Sequence, residues 1–134
     1  MYLLDTNIVS ELRRGSRQVS VWMQTAPKDR LWLSVVTLAE IKRGIIMQAR
    51  KDAAAANALE VWLQTLRNAF SDRILPVDEA VAIEWGRIAA LRTRGVPHCQ
   101  IAATAIVHGL VLVTRNIIDF EDIGVPLVNP WRPV

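Results

Sequence analysis

Short apolar runs alternate along this chain with longer stretches of helical periodicity, and that alternation constrains the fold more than any other feature. Strands that are apolar throughout need cover on both faces, and helical connections between them supply it, which leads to α/β architecture with a mainly parallel central sheet. The runs sit at Tyr2–Leu4, Leu31–Ser34, Ile74–Leu75, Leu110–Thr114 and Leu127–Asn129. Between the first two, the pattern predicts a helix from Ile8 to Arg14, capped by Asn7 and stopped by Gly15, and a second from Ser16 to Ala26, ended by Pro27.

Thr37 then caps a helix with Leu38, Ile41, Ile45 and Ile46 on its apolar face, and Asp52 to Phe70 forms an alanine-rich partner helix in a hairpin with it. Asp78 caps a further helix that Gly95 and Pro97 end. Ile101 to His108 is a helix of small and apolar residues, expected to be buried on most sides, and Gly109 turns it into the next strand. A Pro-Trp-Arg-Pro tail closes the sequence. No linker or internal repeat divides it, so residues 1–134 are expected to form one domain.

A hydrophobic fraction of 51% against 22% charged excludes disorder, and 134 residues can bury a core without staples. The single cysteine, Cys99, excludes an internal disulfide framework and fits a reducing cytoplasm. No basic and apolar leader precedes the first strand, and the apolar stretch from Ile101 to Val113 is too short to span a bilayer, so a cytoplasmic protein without membrane attachment is expected. Sixteen basic residues against thirteen acidic give +3, an excess that solvated helix faces explain better than a nucleic-acid partner does.

Three acids stand where an α/β sheet places ligands, beyond the carboxyl ends of its strands. Asp5 follows the first strand directly, Glu40 lies in the first turn of the helix after the second, and Asp119 lies in the segment after the Leu110–Thr114 strand. Carboxylates sharing a pocket at neutral pH need raised pKa values or a cation, and Mg²⁺ or Mn²⁺ suits an all-oxygen set that also takes phosphate oxygens. Each acid also has a plain structural account: Asp5 as a helix-terminal charge, Glu40 as the far end of a capping box with Thr37, Asp119 as a turn residue. Asn7, Thr114 and Asn116 offer polar groups that would orient the acids or a bound water, or would only cap and turn the chain.

The pieces Leu-Leu-Asp5-Thr-Asn7, Thr37-Leu-Ala-Glu40, Ile101-Ala-Ala-Thr-Ala, Thr114-Arg-Asn116-Ile-Ile-Asp119-Phe120 and Asn129-Pro-Trp131 together resemble the PIN-domain family, and within it the VapC toxin ribonucleases of the FitB-like branch. The resemblance runs nearly from end to end. It implies a three-layer α/β/α sandwich and a Mg²⁺- or Mn²⁺-dependent RNA endonuclease. It further implies a homodimer that a VapB-like antitoxin silences in a hetero-oligomer. Asp5, Glu40 and Asp119 would be the acids of the catalytic metal site, with Asn7, Thr114 and Asn116 in support.

One departure bears on activity. The family usually carries a third acid just before the Ile-Ala-Ala-Thr-Ala helix, and here His98 stands in its place within Gly95-Val96-Pro97-His98-Cys99-Gln100, with about four loop residues absent by comparison with the family pattern. Either His98 faces the pocket, where an imidazole suits Mn²⁺ better than Mg²⁺ and can move protons near neutral pH, or it is what remains after the loop was shortened. The alternative function is therefore a catalytically impaired relative that keeps antitoxin and RNA binding. A metal-dependent phosphatase or DNA nuclease on the same acids is a more distant one. The five tryptophans are expected mainly in core or dimer packing, with a base-stacking platform as the other option. Arg13, Arg14, Arg43 and Arg115 are candidate phosphate contacts.

Overall fold

The computed structural model describes residues 1–132. Pro133, the last residue of the expected tail, lies outside them. Five short strands, β1 (Tyr2–Leu4), β2 (Leu31–Ser34), β3 (Ile74–Leu75), β4 (Val111–Val113) and β5 (Leu127–Val128), form one sheet in the order β3-β2-β1-β4-β5, and every pair is parallel. Six helices connect them: α1 (Thr6–Arg13), α2 (Arg17–Thr25), α3 (Val35–Ala49), α4 (Ala53–Ala69), α5 (Glu79–Leu91) and α6 (Val96–His108). The expected α/β sandwich with a parallel sheet is what the chain builds.

Alternation along the strands divides the core in two. Leu4, Leu31, Leu33 and Val113 face a layer that packs on Ile8 and Val9 of α1, Val19 of α2, Ile41 and Ile45 of α3, and Leu63 and Leu66 of α4. Leu3 and Leu112 face the other layer, with Val81 and Ile88 of α5 and the α6 run Ile101, Ala102, Ala103 and Ala105. Small residues let α6 approach both the sheet and α5, which explains why so much of it is buried. All five tryptophans are partly buried against one of the two clusters, as the packing reading expects. The α3–α4 hairpin also forms as expected, tied across by Lys42 to Glu60 at 2.8 Å.

Helix starts differ from expectation in an informative way. Asp5, not Asn7, is the N-cap of α1, because the turn begins as soon as β1 ends. Ser34, not Thr37, caps α3, its hydroxyl accepting the Val36 N–H at 3.0 Å. Gly95 and Pro97 do not end α5; that helix stops at Leu91, and Gly95 becomes the N-cap of α6 with proline in its first turn, a position that tolerates the missing N–H. His98 and Cys99 are therefore helical. Gly109 closes α6 with φ of 65°, the left-handed conformation that glycine adopts at least cost.

The connections from β1 lead toward β2 and β3 on one side, while β4 leads to β5 on the other. The β1–β4 pair is thus the topological switch point, and the crevice at its carboxyl end is where such a sheet accommodates a ligand.

Candidate active site at the strand ends

Asp5 leaves β1 at this crevice, its own N–H paired with the Val113 carbonyl at 2.9 Å. Asp5 is only 2% exposed. One carboxylate oxygen, Oδ1, accepts the Thr6 N–H at 2.8 Å, and Oδ2 accepts the Thr114 hydroxyl, also at 2.8 Å, directly across the switch point. Thr114, fully buried at the end of β4, accepts in turn from the Asn116 N–H at 3.0 Å, so one hydroxyl fixes both the acid and the turn that follows.

Burial pushes the Asp5 carboxyl above its ordinary range, against the Thr114 and Thr6 hydrogen bonds, which favour the anion. The nearby His98 imidazole also favours the anion, whereas the Glu40 carboxylate disfavours it. Asp5 is therefore a carboxylate that gains from any cation placed beside it.

Glu40 projects from α3 one turn beyond Val36 and Thr37, and the Thr6 hydroxyl donates to its Oε1 at 2.6 Å. The same Thr6 hydroxyl lies 3.0 Å from that of buried Thr37. Glu40 does not reach back to Thr37 in a capping box, since Thr37 is already inside the helix and the α1 turn offers a closer donor. It lines a cavity of about 360 Å³ between α3 and α6, with Arg43, Pro97 and Gln100. Sequence reasoning overlooked Thr6 and Ser34 and assigned Thr37 to capping alone. The signal was present in Asp5-Thr6-Asn7 and in the spacing of Thr37 and Glu40, which puts both on one helix face.

Asn7, in the first turn of α1, has a buried Oδ1 without a hydrogen-bond partner. His98 likewise has a buried, unpartnered Nδ1, and its ring packs against Phe120 at 5.6 Å. The helix that begins at Val96 holds His98 in its first turn, where its charge acts on Asp5. Cys99 is buried, and burial raises its thiol, which makes it a packing residue.

Asp119 stands at the same sheet edge, in a 3₁₀ turn over Ile117–Asp119, but on the wall of a different and larger cavity, of about 1050 Å³. Among the described residues, no three His, Cys, Asp or Glu side chains gather into a set that would hold a metal ion. The structure brings Asp5, Glu40 and His98 near one another and leaves Asp119 on the wall of the other cavity.

Arginine anchors the segment that carries Asp119. Arg94, from the α5–α6 link, donates to the Asp119 carbonyl at 2.8 Å and makes two bonds to the Asp122 carboxylate, at 3.0 and 2.8 Å. Arg92 adds a bond to the Ile118 carbonyl at 3.1 Å. Of the arginines expected as phosphate contacts, Arg13 lies over Trp62, Arg14 pairs with Glu11, and Arg115 lies over Trp131. Among the described residues, no helix is long and apolar enough to cross a membrane.

Residues 2–125 match the PIN domain family. The chain is 31% identical to a VapC ribonuclease of Sinorhizobium fredii, with 99% of each chain covered. It superposes on the crystal structure of FitAcB from Neisseria gonorrhoeae with a TM-score of 0.89 and 33% identity, covering 98% of this chain and 99% of that one. A toxin-antitoxin complex from Klebsiella pneumoniae is similar over the full length of both chains, with a TM-score of 0.73 and 27% identity.

Proposed function

This chain belongs to the PIN domain family, and from that premise we propose that it is the toxin of a VapBC-like type II toxin-antitoxin system, a divalent-metal-dependent endonuclease that hydrolyses RNA phosphodiesters. The observation that carries the reading is Asp5: a nearly inaccessible carboxylate at the switch point, aligned by Thr114 and Thr6, with Glu40 held beside it.

The donors present fit Mg²⁺ or Mn²⁺. Mg²⁺ takes one or two protein carboxylates and completes its shell with water and phosphate oxygens, so Asp5 and Glu40 suffice without a third acid. The orphaned Asn7 Oδ1 adds a neutral oxygen of the same hard character. Such an ion supplies polarisation of the phosphodiester and a water of lowered pKa. The chain's own groups do the rest. Thr114 and Thr6 hold the two carboxylates in fixed orientations, which spares the site a reorganisation as charge develops. Arg43, on the same cavity wall as Glu40, offers a cation to the RNA backbone. Asp119 is the remaining acid of the proposed set.

The partners follow from the same reading: an RNA substrate, a second copy in a homodimer, and a VapB-like antitoxin that silences the toxin in the cytoplasm. A second reading, an impaired nuclease that still binds antitoxin and RNA, is favoured by one observation. No three-group metal set exists among the described residues, and His98 occupies the place of an acid.

One experiment separates them. Purified protein is incubated with total cellular RNA in Mg²⁺, Mn²⁺ or EDTA, beside Asp5→Asn and His98→Asp. Discrete metal-dependent products that vanish with Asp5→Asn support the nuclease. Cleavage only in His98→Asp supports the impaired relative, and cleavage in EDTA or by Asp5→Asn rejects both.

A further inference from the structure

We propose that the 1050 Å³ cavity beyond β4 and β5 is a nucleobase subsite, in which the guanidinium of Arg115, backed by Trp131, stacks a base of single-stranded RNA next to the site of cleavage. The inference rests on the nuclease reading and adds to it the place where the substrate is held.

The arrangement has the parts that such recognition needs. Arg115 lies over the Trp131 ring at 4.4 Å, and Arg115 itself is exposed, so the outer face of its guanidinium is open. Bases stack on guanidinium planes as well as on aromatic rings. The platform is fixed before any ligand arrives: the Asn129 side chain accepts the Trp131 N–H at 2.9 Å and donates to the Arg115 carbonyl across 3.5 Å. Both members of the stack are thus tied to one amide. On the facing walls, Trp22 is held edge-on to Tyr2 at 5.1 Å, and Ile118 is 76% exposed, which leaves apolar surface where a base would be sandwiched.

The same walls carry Asn116 and Glu121, whose donors and acceptors match the edge of a base. Two acids, Asp119 and Glu121, offset the two arginines, Arg115 and Arg132, so the lining has no excess positive charge with which to track a backbone. Its position completes the case. Asn116 lines the cavity, its N–H is bonded to Thr114, and Thr114 is bonded to Asp5, so two hydrogen bonds separate the cavity wall from the buried acid. A nucleotide seated here lies beside the strand end that carries Thr114 and, through it, Asp5.

The test uses full-length Asp5→Asn protein, which is expected to bind RNA without cutting it. Fluorescence anisotropy with a labelled single-stranded RNA of mixed sequence measures Kd for that protein alone and combined with Trp131→Ala, Trp131→Phe or Arg115→Met, while sedimentation and circular dichroism follow assembly and folding. Trp131→Ala and Arg115→Met should each weaken binding about 5- to 150-fold, the equivalent of about 1–3 kcal/mol per stacked base. Trp131→Phe should recover most of it. An RNA of the same length made of abasic nucleotides should bind the Trp131→Ala protein and its parent equally, since it has no base to stack. Equal binding of the mixed RNA by folded Arg115→Met and the parent overturns the subsite, as does loss of binding that coincides with loss of the dimer, since the face would then be a contact between copies. RNA binding that depends on Trp131 in a protein whose native form never cleaves leaves the subsite standing and removes the nuclease reading. Cleavage by the native protein that ignores both substitutions does the reverse.

Discussion

Replacing Asp5 by Asn should make the protein more stable while making it inactive. Asp5 is 2% exposed, and its burial outweighs the two hydrogen bonds that favour its charge, so its folded pKa lies above the ordinary carboxylate value of 3.8. Between 3.8 and that raised value the folded state holds a proton that the unfolded state has released. Stability therefore falls as pH rises through this window, and the loss is complete above it. Each unit of elevation corresponds to about 1.4 kcal/mol at neutral pH, and 1 kcal/mol moves the midpoint of a domain this size by about 3–5 °C. Asparagine keeps the cap, since it ranks with aspartate at that position, and can still pair with Thr6 N–H and Thr114. Thermal unfolding of both proteins without divalent cations, from pH 4 to pH 8, is the assay. The Asp5→Asn protein should melt higher at pH 8, with the gap closing toward pH 4. A variant that melts lower at pH 8, by a margin that grows with pH, would show that the Asp5 charge is a net stabiliser and that burial does not dominate it.

Adding Mg²⁺ at about 100 times its Kd should stabilise the parent by about 2.7 kcal/mol and the Asp5→Asn protein by much less, read from urea midpoints. Thr6→Val removes the hydroxyl that holds Glu40, and loss of about 1.4 kcal/mol of alignment should slow RNA cleavage roughly tenfold with little change in melting. Ser34→Ala uncaps α3 and should cost about 1 kcal/mol in denaturant unfolding without altering Kd for RNA. Leu112→Ala opens the middle of β4, where the side chain is fully buried, and should cost about 2–5 kcal/mol in the same measurement.

The sheet was readable because its strands are uniformly apolar and its turns carry Pro, Gly and Asp at chemically determined places. Asp5 could be singled out because Glu40 and Asp119 also follow strand ends; alone it reads as the helix-terminal charge that its N-cap position makes it. The helix starts at Asn7 and Thr37 were misplaced because Asp5 and Ser34 sit at strand ends, where one residue both finishes a strand and caps a helix. Local propensity does not distinguish those duties. Thr6 escaped notice because its partners, Thr37 and Glu40, lie 31 and 34 positions away, and only the packing of α1 against α3 brings them together. His98 was harder still: its place in the first turn of α6 depends on Gly95 serving as an N-cap, a role that glycine fills as well as it fills a helix stop.

Because β1 lies inside the sheet, between β2 and β4, Asp5 is made long before the partner that follows β4. Asp5 and Thr114 are separated by 109 positions. At about 5–20 residues per second, that interval lasts roughly 5–20 s of synthesis. Throughout it the nascent chain exposes one unpaired edge of β1 and has no aligned carboxylate at the switch point. A chain that stops short of β4 carries Asp5 and Glu40 yet lacks the Thr114 hydroxyl that aligns Asp5. For a protein proposed to attack RNA, the order in which the strands are laid down delays alignment of Asp5 until β4 and Thr114 have been made.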